Sequence, residues 1–555
     1  GSYLGGKEHL QADPTRLFAI GAVLLLITTP LIRLVPVAIG KLPGEIVPLS
    51  TSVLISVIAM LPVGFISGWL FPRVAAMETR ARAGIVQAYL LEGLGAFVGG
   101  VAIMFVVGEL LSSLETMVAV ASIVFLGGFI VGPGRWYVRV PLAAVLAAVL
   151  VFVVPRVSSV ETTLEAFRHD PFEVKQTFDT PYGRQTILSR EGEFVLVTDN
   201  TVETVYPELS SAEDMLIAPL VYRPDAERIL YLGRAEFSAG LLGDSLAGLS
   251  INALDPREQL GRALDNYVLR PINLERTTGD LFTYTSGAAS NATTFDVVVL
   301  HTGSPDSYKN SRFITPYAMN QIRSVLAPGG ILLIPTEYDT DRFIGNEEKR
   351  LLSTVYNVIE GTFDHVTMWP GTRTLFFASD SALFDIPYDT MLVRLDSLPY
   401  QPQFVSADYL FDRLEELKKG RLYEAAYSHK TINTVERPLL SHLQALFRSK
   451  TNAIDHAVVS QILSRPYWTI AIPAVFVLFF LIAIVTRSVR GRYALFLYFV
   501  AGFASLSLEL ISFYIYQSFA GSLFSEMAIL IGAFMLGLAL GTYIASRASR
   551  GEVAH

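Results

Sequence analysis

The chain has 555 residues, of which 51% are hydrophobic and only 17% are charged, and its mean hydropathy is +0.43. Soluble enzymes of this size are less apolar, so the composition indicates a membrane protein with room for about two to four domains. The net charge of −8 gives no indication of a nucleic-acid partner. Because the sequence contains no cysteine, it excludes disulfides, thiolate metal sites and cysteine nucleophiles, and we expect no metal site.

Eight apolar stretches form an N-terminal group of five and a C-terminal group of three. They cover residues 17–38, 47–71, 84–108, 117–132 and 140–154, and then 467–486, 493–516 and 523–546. A hydrocarbon core of about 30 Å needs about 20 helical residues, which the first three stretches supply. The fourth and fifth are shorter and form either two spans or one re-entrant hairpin. The turn beside Trp136, an aromatic anchor, favours two spans.

The positive charges of the connecting loops predict the orientation. Every second loop is rich in Lys and Arg: Lys7 and Arg16, then Arg73, Arg80 and Arg82, then Arg135 and Arg139, then Arg487, Arg490 and Arg492, and finally Arg547 and Arg550. The alternate loops hold only Arg33 and Lys41, with no Lys or Arg in 109–116 or 517–522. Because positive loops are retained in the cytoplasm, the polar region after residue 156 is predicted to face outward. We expect this topology in the inner membrane of a bacterium.

The two ends of the chain carry similar strings, GSYLGGK at 1–7 and GTYIASR at 541–547. The second string follows two long apolar stretches, and the first follows none. We interpret the pair as an internal repeat whose first copy lacks, or does not show, an upstream helical pair. A chance match of seven residues is the alternative.

The polar region between the two apolar groups has the pattern of an α/β domain. Four short β-like runs separated by turn signals predict a small antiparallel sheet at 172–179, 182–189, 193–198 and 201–206. Four apolar strands then alternate with helical stretches such as 257–266 and 316–326; the strands are 228–233, 250–255, 295–301 and 329–334. This alternation predicts a parallel sheet with ligands at the carboxyl ends of its strands. The sequence pattern of residues 408–427 predicts an amphipathic helix that leads back to the membrane.

Short strings in a fixed order connect these elements to a known family. The polar region contains Tyr182-Gly183, Ala212-Glu213, the strand end at Gly233, Leu254-Asp255-Pro256, Gly279-Asp280 and Ala327-Pro328-Gly329-Gly330. The apolar regions contain Tyr89 to Gly95, Gly502 to Leu506 with Glu509, and Phe534 to Gly541. In order and spacing, over nearly the whole chain, these strings resemble the membrane-bound spermidine synthase-like proteins.

The resemblance completes the predicted fold, a multi-span α-helical membrane protein with an inserted α/β domain. It implies a Rossmann-like parallel sheet of the methyltransferase or spermidine synthase type, preceded by the small antiparallel sheet. We divide the chain into N-terminal transmembrane helices at 1–155, an antiparallel β subdomain at 156–210, the spermidine synthase-like domain at 211–385, a connecting helical segment at 386–465 and C-terminal transmembrane helices at 466–555.

The resemblance also implies a site. Spermidine synthases transfer an aminopropyl group from decarboxylated S-adenosylmethionine to a diamine, using a glycine loop and several acids. This chain keeps Gly233, Glu236 and Asp255, and Asp280 matches the acid on the adenine side. Other positions depart from the pattern: Arg234 and Phe237 add bulk to the glycine loop, Ala253 replaces the ribose-binding acid, and His301 stands at the position of the catalytic aspartate.

Each candidate residue has a structural alternative. Asp255 is either a ligand or a helix cap, Asp280 a ligand or a turn acid, and Glu236 a ligand or a residue favoured by a helix N-terminus. His301 is either a general base or a histidine in an unused pocket. Arg234 either recognises an anion or, as we favour, forms a surface ion pair.

The apolar stretches contain two carboxylic acids, Glu92 and Glu509, which are functional candidates because ionisable groups are expensive in a bilayer. The alternative is that they fix the packing of helices. Small residues recur nearby at Gly93, Gly95, Gly99, Gly100, Gly532, Gly537 and Gly541, and we interpret them as close helix contacts.

Two main functions remain open. The favoured one is a membrane-anchored pseudoenzyme that acts as a scaffold or partner-binding subunit, with no cofactor, in contact with the lipid bilayer and with membrane-protein partners or further copies of itself. The alternative is an active aminopropyltransferase, or another S-adenosyl-dependent transferase, that uses decarboxylated S-adenosylmethionine. Transport through the helix repeats has less support.

Overall fold

The computed structural model describes residues 14–45, 47–75, 81–106, 111–131, 140–141, 144, 156–246, 248–290, 293–464, 468–486, 490–520 and 525–552. The described N-terminal part is helical. Four apolar helices are followed by a more polar one that leads into the soluble part: α1 Pro14–Ala38, α2 Leu49–Ala75, α3 Ala81–Val106, α4 Ser113–Val131 and α5 Val157–Arg168.

A small antiparallel sheet follows, as predicted. Its four strands pair in chain order: β1 Glu173–Thr180, β2 Gly183–Arg190, β3 Glu193–Thr198 and β4 Thr201–Tyr206. The hairpin turns contain Glu191, Asp199 and Asn200 with positive φ angles, the backbone conformation that tight hairpins require. Local turn chemistry is therefore sufficient to place these strands.

The second sheet has seven strands in the order β7-β6-β5-β8-β9-β11-β10. Their bounds are β5 Arg228–Leu232, β6 Ser250–Leu254, β7 Leu274–Thr277, β8 Phe295–Leu300, β9 Leu326–Thr336, β10 His365–Trp369 and β11 Thr374–Ser379. The first five are parallel, but β10 and β11 run antiparallel to their neighbours. The prediction of a parallel sheet is wrong at this edge, because the short connection 370–373 makes a hairpin and leaves no room for a crossover helix.

Helices and apolar side chains cover both faces of this sheet. The three central residues of β8, Val297, Val298 and Val299, are 0% exposed, and alternate residues belong to different core clusters on the two faces. Such burial on both faces explains the continuous apolar sequence of the strand. The surrounding helices are α6 Leu209–Leu216, α7 Ala218–Tyr222, α8 Ala235–Leu242, α9 Glu258–Leu264, α10 Leu281–Ser290, α11 Tyr308–Ser311, α12 Pro316–Val325 and α13 Asn346–Glu360.

The connecting segment consists of α14 Tyr388–Asp396, α15 Ala407–Arg413, α16 Glu416–Tyr427, α17 Leu439–Ser449 and α18 Ala453–Ser464. The prediction of one helix at 408–427 is wrong, because the backbone of Glu415 leaves the helical region and starts a new helix. The two helices also pack on the α/β domain: Leu410 belongs to one core cluster and Leu422 to the other. The described C-terminal helices are α19 Trp468–Thr486, α20 Arg490–Ala520 and α21 Ser525–Glu552.

Five of the described helices are long and apolar enough to cross a membrane, at Pro14–Ala38, Leu49–Ala75, Val86–Phe105, Phe496–Gln517 and Met527–Ser546. Helices α4 and α19 contain shorter apolar segments. The predicted span 140–154 lies almost entirely outside the described residues, as does the string at 1–7.

Glycines bring α3 and α21 into close contact, as the small-residue pattern predicts. A Cβ atom on Gly93 would lie 2.6 Å from the carbonyl oxygen of Met535, and one on Gly532 would lie 3.1 Å from the Cα of Phe97. At Gly100 it would collide with the carbonyl oxygen of Ala528. The prediction is wrong for the other four glycines, which have no described neighbour within 4 Å at this position: Gly95, Gly99, Gly537 and Gly541.

A buried charge network joins the soluble part to the N-terminal apolar helices. Arg33 of α1 and Arg184 of β2 both pair with the carboxylate of Glu161 in α5, at 2.9 and 2.7 Å. The backbone N–H of Ser113, at the start of α4, donates to the carboxylate of Asp179 in β1 at 2.9 Å. These contacts fix the small sheet against the ends of α1 and α4.

A second attachment comes from the connecting segment. Asp455 of α18 accepts hydrogen bonds from the backbone N–H groups of Leu49 and Ser50, at 2.5 and 3.0 Å. These groups belong to the first turn of α2, where N–H groups have no partner within the helix. The side chain therefore caps an apolar helix that lies about 400 residues earlier in the chain.

Candidate functional site

The candidate site lies where the direction of the strand connections reverses, between β5 and β8. Gly233 follows β5 and His301 follows β8, and crevices at such switch points are the usual ligand sites of open α/β sheets. Gly233 has a φ of 131°, and a Cβ atom there would collide with the carbonyl oxygen of His301. Only glycine fits this position without displacing that carbonyl group.

A cleft of about 390 Å³ opens at this point. Its floor is formed by the ends of β5, β6 and β8, and one wall by the turn between β3 and β4. Gln517 of the apolar helix α20 lies on its rim. The charged residues that line it are Asp199, Glu203, Asp255, Arg257, Asp280, Asp306, Lys309, Arg312, Glu337 and Arg448.

Asp255 lines the cleft, but two arginines neutralise its carboxylate. Arg234 lies 2.5 Å from one oxygen and Arg257 lies 2.7 Å from the other. These guanidinium groups hold the pKa of Asp255 far below its usual range, against the opposing effect of burial. The side chain of Arg234 is only 7% exposed, so the favoured prediction of a surface ion pair is wrong: the pair is buried.

Glu236 does not line the cleft. Its side chain is 1% exposed, and one oxygen pairs with Arg276 at 2.7 Å and with Arg234 at 3.3 Å. The other oxygen is buried and has no hydrogen-bond partner in the part of the chain that the structure describes. Glu236 and Asp255 therefore share Arg234, which is buried beside the cleft and does not line it.

Asp280 lines the cleft and combines two structural roles. One oxygen accepts a hydrogen bond from the backbone N–H of Phe282, in the first turn of α10, and the other pairs with Arg312 at 2.5 Å. The first contact is the turn role considered from the sequence. The second was not predictable, because Arg312 is 32 residues away and belongs to no motif.

His301 also lines the cleft, and its Nδ1 atom lies 2.7 Å from the hydroxyl of Tyr231. Burial, together with the positive charge of Arg373, lowers the pKa of His301 to about 4. The ring is then neutral at neutral pH, and its basicity is close to that of an ordinary aspartate. Both predictions for His301, a general base or a histidine in an unused pocket, therefore stay predictions.

The opposite half of the cleft contains charged residues that the sequence did not single out. Arg257 forms a bidentate pair with Glu203 of β4, with both distances at 2.6 Å. Lys309 donates to the carbonyl oxygen of Tyr182 at 2.9 Å, and burial lowers its pKa to about 8. Glu337 follows β9 and is exposed to the cleft. Of these residues, only Glu337 could have been found from the sequence, because it directly follows a parallel strand.

Glu92 and Glu509 lie apart from this cleft, within α3 and α20. Glu92 is exposed on the surface of α3, and three residues before it the hydroxyl of Tyr89 lies 2.6 Å from that of Tyr498 in α20. The N-terminal and C-terminal apolar helices therefore meet through a polar contact near Glu92. Among the described residues, no cluster of three or more His, Asp or Glu side chains is arranged to hold a metal ion.

No protein-family profile and no curated protein matches the chain. Similar solved structures include a spermidine synthase in complex with the transition-state analogue AdoDATO, at 13% identity, covering 46% of this chain and 89% of that chain, with a TM-score of 0.37. The spermidine synthase from Thermotoga maritima is 14% identical, and the match covers 46% of this chain and 88% of that chain with a TM-score of 0.35. Human methyltransferase-like protein 13 in complex with SAH is 13% identical, and the match covers 34% of this chain and 91% of that chain with a TM-score of 0.29. Similarity at this level carries no conclusion about residues or reaction, and the membrane-bound family stays a prediction.

Proposed function

We propose that this protein is a membrane-anchored, spermidine synthase-like pseudoenzyme that acts as a scaffold or partner-binding subunit of a membrane assembly. One observation carries the proposal: each acid predicted to hold the adenosyl donor is paired with arginine. Asp255 pairs with Arg234 and Arg257, Glu236 with Arg234 and Arg276, and Asp280 with Arg312.

The energies of these contacts oppose donor binding. A nucleoside would have to displace a guanidinium group from Asp255, and breaking a buried ion pair costs about 3–5 kcal/mol. A hydrogen bond from a ribose hydroxyl to the freed carboxylate returns about 1.5–3 kcal/mol. The paired side chains of Asp255, Arg234 and Arg257 do not fit decarboxylated S-adenosylmethionine, so we derive no reaction step that uses it.

The alternative function, an active S-adenosyl-dependent transferase, has one observation in its favour. The cleft lies at the switch point, and Gly233 keeps the tight backbone turn that such ligands use. The same titration tests both functions.

We further propose that the soluble part faces outward from a bacterial inner membrane. The loops that contact it are those poor in Lys and Arg: Asn200 donates to the carbonyl oxygen of Glu45 at 3.1 Å, Ser113 contacts Asp179, and Gln517 lines the cleft. This arrangement agrees with retention of positive loops in the cytoplasm.

The deciding experiment is calorimetric titration of the full-length protein in detergent with decarboxylated S-adenosylmethionine and with methylthioadenosine. We expect no saturable binding up to about 1 mM, which corresponds to about −4 kcal/mol. Asp385→Ala, an exposed aspartate outside the cleft, is the matched control for Asp280→Ala. Saturable micromolar binding that survives Asp385→Ala and is lost in Asp280→Ala would refute the pseudoenzyme and favour the transferase.

A further inference from the structure

Helix α5 carries its carboxylates on the inside and leaves an uncharged face exposed. Its two carboxylates, Glu161 and Glu165, pair with Arg184 of β2 at 2.7 and 3.2 Å, and Glu161 also pairs with Arg33 of α1. The exposed residues within the helix carry no charge; they are Ser158, Ser159, Val160, Thr162, Thr163, Ala166 and Phe167. A helix that borders water shows the opposite distribution, with its charged residues on the outer face.

The threonine hydroxyl groups on this face do not need water. Thr162 donates to the backbone carbonyl oxygen of Ser158, and Thr163 donates to that of Ser159, both at 2.8 Å. Such bonds within a helix satisfy hydroxyl groups where no solvent is present. On the same face the apolar side chains of Val160 and Phe167 are 49% and 61% exposed. The exposed surface of α5 can therefore contact an apolar medium without leaving a charge or a threonine hydroxyl unsatisfied.

A groove of about 600 Å³ joins this face to α1. Val160, Leu164 and Phe167 of α5 line it together with Leu34 of α1. Leu34 continues an exposed apolar face of α1, whose residues follow one another at intervals of three and four: Ile20, Val23, Ile27 and Leu31. If α1 crosses a bilayer, this face contacts acyl chains, and the groove is an extension of the same lipid-facing surface.

The position of Leu34 along α1 sets the depth of the groove. A centred helix of 25 residues is about 38 Å long and exceeds a hydrocarbon core of about 30 Å by about 4 Å at each end. Leu34 lies four residues before the end of α1 at Ala38, or about 6 Å along the helix axis. The groove is therefore at the boundary between acyl chains and head groups. Arg156, which precedes α5, also lines it, and a long cationic side chain at this depth reaches lipid phosphates.

We propose that α5 is embedded in the bilayer at this boundary, with Val160 and Phe167 against phospholipid acyl chains of the leaflet that faces the soluble part. The inference rests on the proposed membrane insertion and extends it to a helix of 12 residues, which is too short to cross a bilayer. Lipid then covers the outer side of the ion pairs that Glu161 and Glu165 form, and the small sheet is held against the bilayer surface.

The test is spin labelling of single cysteines in the full-length protein, which has no cysteine of its own, in nanodiscs of phosphatidylcholine and phosphatidylglycerol. Electron paramagnetic resonance compares the collisions of each label with oxygen, which concentrates among acyl chains, and with a water-soluble nickel chelate. We expect oxygen collisions to exceed nickel collisions several-fold at Val160→Cys and at Phe167→Cys. The matched control is Phe343→Cys, an 86% exposed phenylalanine of the α/β domain, where the order should reverse.

Two results would overturn the proposal. Access of the nickel chelate to either label on α5 would place this face in water, and an immobile label that neither reagent reaches would place protein over it. Ile27→Cys on α1 separates these failures from a failure of membrane insertion, because its label should collide with oxygen whether or not α5 contacts lipid. Nickel access at Ile27→Cys would contradict the insertion itself, and with it the proposal. The nucleoside titration does not depend on α5, so the pseudoenzyme is tested separately.

Discussion

Arginine side chains decide what the candidate carboxylates can do. The sequence indicated Asp255 as an acid at the end of a strand, and the family resemblance added Glu236 and Asp280. It did not reveal their partners: Arg276 and Arg312 come from distant parts of the chain, and burial of Arg234 depends on the whole domain. The residue type determines that a side chain carries a carboxylate, but the fold determines whether that carboxylate can contact a ligand.

The pH dependence of stability provides a prediction at His301. Its pKa falls from the ordinary value of 6.5 to about 4 on folding, because burial and Arg373 disfavour the charged ring. Between these values the unfolded chain binds the proton and the folded chain does not. The free energy of unfolding therefore contains a contribution from the neutral His301 ring that is fully present above pH 6.5. This contribution, up to about 3 kcal/mol, is lost as the pH falls toward 4.

We expect His301→Gln to lose less stability than the wild type between pH 7 and pH 4.5, measured as Tm of the full-length protein in detergent. Glutamine still accepts the hydrogen bond from Tyr231. His365→Gln, which changes an exposed histidine at the start of β10, is the control and should follow the wild type. An unchanged pH dependence in His301→Gln would contradict the low pKa.

At the scale of elements, the strands of the small sheet follow from turn signals, since each turn fixes the register of its hairpin. The five parallel strands follow from apolar runs, except that the short β7 was missed. The reversed strand β11 was not predicted, because its direction is set by the short hairpin that follows β10. The break between α15 and α16 was not predicted either, since no Gly or Pro separates the two helices in the sequence.

Two neighbouring glycines of α3 test the packing of this helix on α21. Gly100→Ala places a methyl group against the backbone of Ala528, and overpacking of this kind costs about 1–3 kcal/mol. Gly99→Ala meets no described atom within 4 Å and gains helix propensity, so it should be neutral or slightly stabilising. We expect Tm in lipid nanodiscs to fall only in Gly100→Ala. Equal Tm values would show that α3 and α21 are not in tight contact.

For the whole molecule, sidedness is the property that the sequence predicts through loop charge. Because the chain has no cysteine, single cysteines report on it cleanly. Ser324→Cys lies on the exposed surface of the α/β domain, and Thr79→Cys belongs to the Arg-rich part of the sequence between Arg73 and Arg82. In intact spheroplasts we expect an impermeant maleimide to label only Ser324→Cys.

After lysis, both variants should react with the maleimide. Labelling of Thr79→Cys, but not of Ser324→Cys, in intact spheroplasts would reverse the orientation. The α/β domain would then lie in the cytoplasm, where S-adenosyl donors are made, and the transferase would gain support over the pseudoenzyme.

The cap that Asp455 places on α2 has a consequence for biosynthesis. Its hydrogen bond to Leu49 spans 406 residues, which a ribosome working at about 5–20 residues per second adds in roughly 20–80 s. During that interval the first turn of α2 is already made, while the side chain that completes it is not. Until the soluble part has been synthesised and has folded onto α2, water or lipid must therefore supply the hydrogen-bond acceptors for the N–H groups in the first turn of this helix.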